Sequence, residues 1–149
     1  MTTKNIANLT QVAEALESAG YEAICHDGAV HTKVGGMQKP FTAVLTINAD
    51  RNALVITCQL ARLGDIPEDN ISTFAVAALD ANSRISPFAF ATLTASDNPE
   101  LDEPEQWPVV LTDSIPLGDL SVGELEAAMN CLWSALAESR DVLEAGIGA

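Results

Sequence analysis

Tyr21-Glu22-Ala23-Ile24-Cys25-His26-Asp27-Gly28-Ala29-Val30-His31-Thr32-Lys33-Val34 is the stretch on which the fold turns. Asp-Gly between two apolar, β-branched runs signals a two-residue type I′ turn, because both central residues must take positive φ and these two tolerate it. The spacing therefore predicts an antiparallel hairpin of residues 21–26 and 29–34. Pairing across the turn sets His26 against Ala29 and Ile24 against His31. His26 and His31 then lie diagonally on one face, and Cys25 and Val30 on the other.

The hairpin extends in both directions. Phe41, Ala43, Leu45 and Ile47 alternate with Thr42, Thr46 and Asn48, the pattern of a half-buried antiparallel strand. Residues 48–52 turn the chain into Leu54, Ile56, Cys58 and Leu60, and Gly64 with Pro67 ends the meander. Ahead of it, Leu9, Val12, Ala13 and Leu16 share one face of a helix over 10–19, with Glu14 and Glu17 pointing away and Gly20 as the stop. Beyond it, a second helix is predicted from Pro67 to Asn82. A strand follows Pro87, with Phe88 and Phe90 on one side and Ala89, Ala91 and Leu93 on the other. An acidic loop over 97–106 leads to a last strand around 109–112. Ser121 and Glu124 form a capping box that opens a final helix of about 24 residues, with Leu125, Met129, Leu132, Leu136 and Leu143 along one face. The order α-β-β-β-β-α-β-β-α predicts an α+β fold, an antiparallel sheet with helices packed on one side. Without a linker or repeat, residues 1–149 read as one domain, long enough to bury roughly 70% of the unfolded surface.

Charge is distributed unevenly. Residues 1–62 hold five Lys/Arg and five Asp/Glu, whereas residues 63–149 hold Arg84 and Arg140 against sixteen acidic residues, the whole of the net charge of −14. Binding to phosphate backbones or anionic lipid depends on Lys and Arg, so neither nucleic acid nor membrane is an expected partner. No apolar run approaches the roughly 20 residues of a membrane span, and no signal peptide is visible. Three widely spaced cysteines, Cys25, Cys58 and Cys131, without a CxxC, suit free and mostly buried thiols in a cytoplasm.

No constellation announces chemistry. His26 and His31 supply two ligands where a closed zinc site needs four, and they read as surface imidazoles. Asp97, Glu100, Asp102, Glu103 and Glu105 lack the spacing of a calcium loop and read as a solvated loop or a docking surface for a basic segment. Gly35-Gly36 is followed by no Gly-Lys-Ser/Thr, and no Ser or Cys sits in a nucleophile motif. Cys58 and Cys131 read as packed. Trp107 and Trp133 read as partly buried or as anchors for a partner. No catalytic residue, metal or cofactor is expected.

The second helix is informative. Ile71, Phe74, Ala75, Val76, Ala77, Ala78 and Leu79 leave hardly any polar face, which implies cover on more than one side, from a twin subunit or from the long last helix.

Several of these pieces occur together in known proteins: Leu79-Asp80-Ala81-Asn82 ending an apolar helix, the Pro87–Leu93 strand, a strand running to Asp113-Ser114-Ile115-Pro116-Leu117, and Leu120-Ser121 with Glu124-Leu125 opening a long helix. The chain thereby resembles the YbjN family of bacterial sensory-transduction regulators and, in element order, is similar to class I type III secretion chaperones of the Tir-chaperone type. The resemblance implies a small acidic cytoplasmic homodimer without cofactor, joined through the second helix, with Phe74, Ala75, Ala78 and Leu79 as interface positions. It also implies a client polypeptide held in extended form. The long 97–106 insertion departs from that pattern. The expected function is a non-enzymatic protein-binding module, chaperone- or adaptor-like. The alternative is a regulatory or sensor domain that binds a small ligand or a signalling protein.

Overall fold

Asp27 and Gly28 take φ of 50° and 73°, the two positive values a type I′ turn requires. Around them a computed structural model of the chain, which describes residues 6–34, 40–92 and 103–147, places β1 (Ala23–His26) and β2 (Ala29–Val34). Their register is as the sequence dictates, with Ile24 opposite His31 and His26 opposite Ala29. The meander continues through β3 (Phe41–Asn48) and β4 (Ala53–Arg62), antiparallel throughout, and the turn between them is set by Asn52 at φ 49° and an Arg51 amide donating to Asn48 Oδ1.

The remaining elements are α1 (Leu9–Ser18), α2 (Ile71–Ala81), β5 (Ala89–Thr92), β6 (Pro108–Pro116) and α3 (Val122–Ile147), with single 3-10 turns at Leu63–Asp65, Glu68–Asn70 and Pro104–Gln106. The six strands run in the order β1-β2-β3-β4-β6-β5. Two backbone bonds fix the sense of β6 beside β4: the Leu117 amide donates to Asn52 O and the Leu63 amide to Trp107 O, so the start of each strand meets the end of the other. The α+β class and the element order are those read from the sequence. Boundaries moved in three places. Pro67 opens a 3-10 turn and the α-helix begins at Ile71. β6 runs on to Pro116 rather than stopping near Thr112. β5 is a four-residue strand, with Leu93 outside the described residues.

Cα proximity divides the chain into two compact units. The first draws on Met1–Cys58 and Thr112–Asn130. Its core is set by the pleat: Val30, Val34, Ala43, Leu45, Leu54, Ile56 and Cys58 face inward at 30, 34, 43, 45, 54, 56 and 58, every second position of each strand, and all are buried. Val12, Ala15 and Leu16 bury one face of α1, which packs on β1 and β2. Asn8 caps α1 by accepting from the Gln11 amide, and Ser121 Oγ caps α3 by accepting from the Glu124 amide at 3.1 Å. Thr32 is the exception in this core, a buried hydroxyl without a hydrogen-bond partner.

The second unit draws on Gln59–Leu111 and Cys131–Ala149. Ile66, Phe74, Ala78, Ala81, Val109 and Val142 form its apolar cluster, with Leu63, Ile71, Ala77, Phe90 and Leu143 packed around them.

Cysteine burial differs from the expectation of mostly buried thiols. Cys58 is buried, Cys131 is half-buried, and Cys25 is exposed because it lies on β1, at the sheet margin. No described helix is long and apolar enough to cross a membrane.

Candidate functional site

α2 has two apolar faces, and they meet different fates. Ile71, Phe74, Ala78 and Ala81 recur at three- and four-residue spacing and form the stripe that enters the second unit's core. Ala75, Val76 and Leu79 fall on the opposite side and are exposed, Val76 at 68% and Leu79 at 71%. Ser72, Thr73 and Asp80 border them. Single exposed apolar residues need no explanation, but two large ones a turn apart with an alanine beside them make a ridge.

Of the four positions assigned to an interface, the structure thus separates two pairs. Phe74 and Ala78 are buried inside the protomer, while Ala75 and Leu79 face outward. The reason is the anchoring of Phe74. Gly146 of α3 lies so close that a Cβ there would come within 2.6 Å of Phe74 Cδ2, and Asn70 Nδ2 donates to Gly146 O at 2.9 Å. Only a residue without a side chain lets the helix backbone approach this closely. Val76 was not among the expected positions. Its signal was available, because a stripe through 71, 74, 78 and 81 leaves 75, 76 and 79 on the far side.

Charged side chains stand at both ends of the ridge. Glu68 and Asp69, both exposed, precede α2. Arg84 follows it, with Nη1 at 2.9 Å from Asp80 Oδ2 and Nε at 3.5 Å from Glu138 Oε2. The hydrogen bond to Asp80 holds the Arg84 guanidinium even more firmly protonated than usual.

His26 and His31 have ring centroids 6.3 Å apart, and His26 Nε2 lies 3.1 Å from Asp27 Oδ2 on an exposed edge. Among the described residues, no three His, Cys, Asp or Glu side chains gather as a metal site. Burial pushes the Cys58 thiol up to about 12. Partial burial raises the Asp113 carboxyl, against a Ser114 amide that donates to it and works the other way. Glu103 and Glu105 are exposed beside the Pro104–Gln106 turn. Asp97, Glu100, Asp102 and Gly35-Gly36 lie outside the described residues. Glu105 has a packing role: its backbone sits where a Cβ on Gly64 would be, at 2.8 Å from Glu105 O. Trp133 is 42% exposed and Trp107 half-buried.

Several solved structures match nearly the whole chain. YbjN from E. coli, described as a candidate transcription regulator, superposes with a TM-score of 0.64 at 10% identity, over 94% of this chain and 92% of YbjN. The HopA1–SchA chaperone–effector complex gives a chain with a TM-score of 0.55 at 19% identity, covering 91% of each. A chain of the ExsC–ExsE complex gives 0.51 at 17% identity, over 91% of this chain and 90% of the other. The chain shares the fold of YbjN and of these complexes. At such identities the likeness is one of fold, as the element order and the strand register had indicated. None of these neighbours is named as an enzyme. No family model matches the sequence, and no curated protein matches it.

Proposed function

We propose that the protein is a non-enzymatic, chaperone- or adaptor-like module that holds a segment of a partner polypeptide and works as a homodimer in a bacterial cytoplasm. The observation that carries this reading is the exposed Val76–Leu79 ridge on a fold shared with a chaperone–effector complex. A net charge of −14 disfavours nucleic acid and anionic membrane as partners.

The homodimer is supported by the ridge being self-complementary. Two copies of α2 antiparallel about a two-fold axis near Val76 bring Leu79 and Ala75 of each copy together, with alanine allowing close approach. The contact is isologous, the same patch meeting itself about the two-fold axis. Phe74 and Ala78 contribute from behind by holding the helix in place, and Ala75, Val76 and Leu79 form the contact itself.

Purification of the tagged protein from its native cytoplasm, followed by mass spectrometry, tests the reading. One dominant polypeptide, with a discrete segment protected from proteolysis, is expected. The sensor alternative is favoured by the YbjN likeness. It calls instead for a small molecule that raises the melting temperature in a concentration-dependent way, as any ligand selective for the native state must.

A further inference from the structure

The hairpin that opens the sheet brings its two imidazoles together. His26 pairs with Ala29 and Ile24 with His31, so the histidines hold diagonal positions on one face of β1 and β2. Their ring centroids lie 6.3 Å apart, with the planes inclined at 53°. Both rings reach solvent: the His26 side chain is 71% exposed and His31 is half-buried. Asp27, in the turn, sets Oδ2 3.1 Å from His26 Nε2. A carboxylate at that distance accepts from a ring N–H. In the neutral ring Nε2 therefore holds the proton, and Nδ1 keeps its lone pair for another partner.

Metal-bound histidines use this arrangement, with one nitrogen on the ion and the other donating to a carboxylate that fixes the ring. A metal–nitrogen bond of about 2.05 Å, with the ring centre about 1.2 Å behind it, puts two imidazoles on one tetrahedral ion roughly 5 Å apart, centre to centre. Closing the pair from 6.3 Å takes about 1 Å, shared between two rings and supplied by rotation of side chains open to solvent. The ammonium on this face does not oppose a cation there. Lys33 leans away from β1, its Nζ donating to Thr42 Oγ1 of β3 at 3.2 Å. A net charge of −14 draws divalent cations toward the chain as a whole. Cys25 stands on the opposite face by alternation and stays outside the pair.

We propose that His26 and His31 chelate a divalent transition-metal ion of the zinc class, with Asp27 as the positioning carboxylate and water in the remaining coordination positions. Two nitrogen donors select against Mg²⁺ and Ca²⁺, which take oxygen ligands. With two protein ligands in place of the four of a structural site, the ion exchanges readily and the fold does not depend on it. The hairpin is thus an open metal-binding patch in the first unit. It is independent of the α2 ridge and of whether a partner polypeptide is held.

The test uses the full, untagged, ¹⁵N-labelled chain carrying Cys25→Ser, which removes the exposed thiol as a rival ligand. It is titrated at neutral pH with Zn²⁺ alone, and long-range ¹H–¹⁵N spectra follow the ring nitrogens. The signals of both histidines are expected to move together and to saturate at one equivalent, with a dissociation constant of about 10–100 μM. Mg²⁺ at the same concentrations is expected to move neither. His26→Asn and His31→Asn, each checked by an unchanged urea midpoint, are expected to weaken binding about tenfold or more, because either one removes the chelate. Asp27→Asn keeps a residue that the positive-φ turn accepts, and it is expected to shift the His26 ring nitrogens before any metal is added. Binding weaker than about 1 mM, movement of one ring only, an equal response to Mg²⁺, or a folded single-histidine variant that binds as its parent does overturns the proposal. An unchanged His26 ring in Asp27→Asn overturns the positioning role of Asp27.

Discussion

Replacing Leu79 and Phe74, five residues apart on α2, should separate two properties that a uniformly apolar helix would confound. Leu79 leaves 71% of its surface exposed. Full burial of a leucine stabilises by roughly 1.5–3 kcal/mol, so sealing what is exposed contributes about 1–2 kcal/mol per copy and about 2–4 kcal/mol per two-fold dimer. Leu79→Asp forfeits all of that, which weakens dimerisation by roughly 30-fold to 1,000-fold while leaving the fold within about 0.5 kcal/mol. Phe74, 6% exposed and packed in the second unit's core, behaves in the opposite way. Phe74→Ala removes a buried ring that Gly146 touches from behind, at a cost of about 3–5 kcal/mol in folding. With a urea slope near 2 kcal/mol/M, its midpoint falls by about 1.5–2.5 M. Sedimentation equilibrium and urea titration followed by circular dichroism read the two effects independently. The reasoning is refuted if Leu79→Asp lowers the urea midpoint as far as Phe74→Ala does, or if it sediments as the same dimer at micromolar concentration.

Gly146→Ala drives a methyl group into the Phe74 ring and should lower the melting temperature by roughly 3–10 °C in a thermal scan, with an unchanged temperature arguing that α3 does not sit against α2 as described. The three thiols should titrate in sequence with a disulfide reagent: Cys25 at once, Cys131 more slowly, and Cys58 only on global unfolding, since burial holds its thiol protonated up to about 12. Fast modification of Cys58 in the native protein would contradict the register that buries it. The Asp113 carboxyl is raised by burial, so the native state binds its proton more readily than the unfolded chain. The charged form therefore costs stability at neutral pH, and the cost disappears as pH falls below its native pKa. Asp113→Asn should accordingly raise the melting temperature at pH 7 and lose that advantage near pH 4, and a gain that grows on acidification would reverse the sign of the argument.

The sheet was legible because its information is local. Asp27-Gly28 fixes one turn, and alternation from Phe41 to Cys58 carries the register from strand to strand, so which residues share a face follows without any long-range knowledge. The capping hydroxyl of Ser121 was legible for the same reason. Two features of α2 were not. Its apolar residues surround the helix, so periodicity alone does not say which stripe is buried. The choice is made by Gly146, more than sixty residues later in the chain, where the absence of a side chain admits Phe74. The interface positions chosen from the run therefore mixed Phe74 and Ala78, which are core, with Ala75 and Leu79, which are surface. The run from Asp113 to Pro116 is polar and proline-bounded, which disguises a strand that is held by pairing to β4 rather than by its own propensity. The exposure of Cys25 follows from β1 being an outer strand, a property of sheet order and not of the hairpin's own sequence.

Native mass spectrometry of the protein isolated from its own cytoplasm tests the central claim most directly. Two copies of the 15.7 kDa chain together with one polypeptide, dissociating as a unit at low collision energy, is the expected species. A chain that emerges without any bound polypeptide at every expression level and salt concentration would contradict the account.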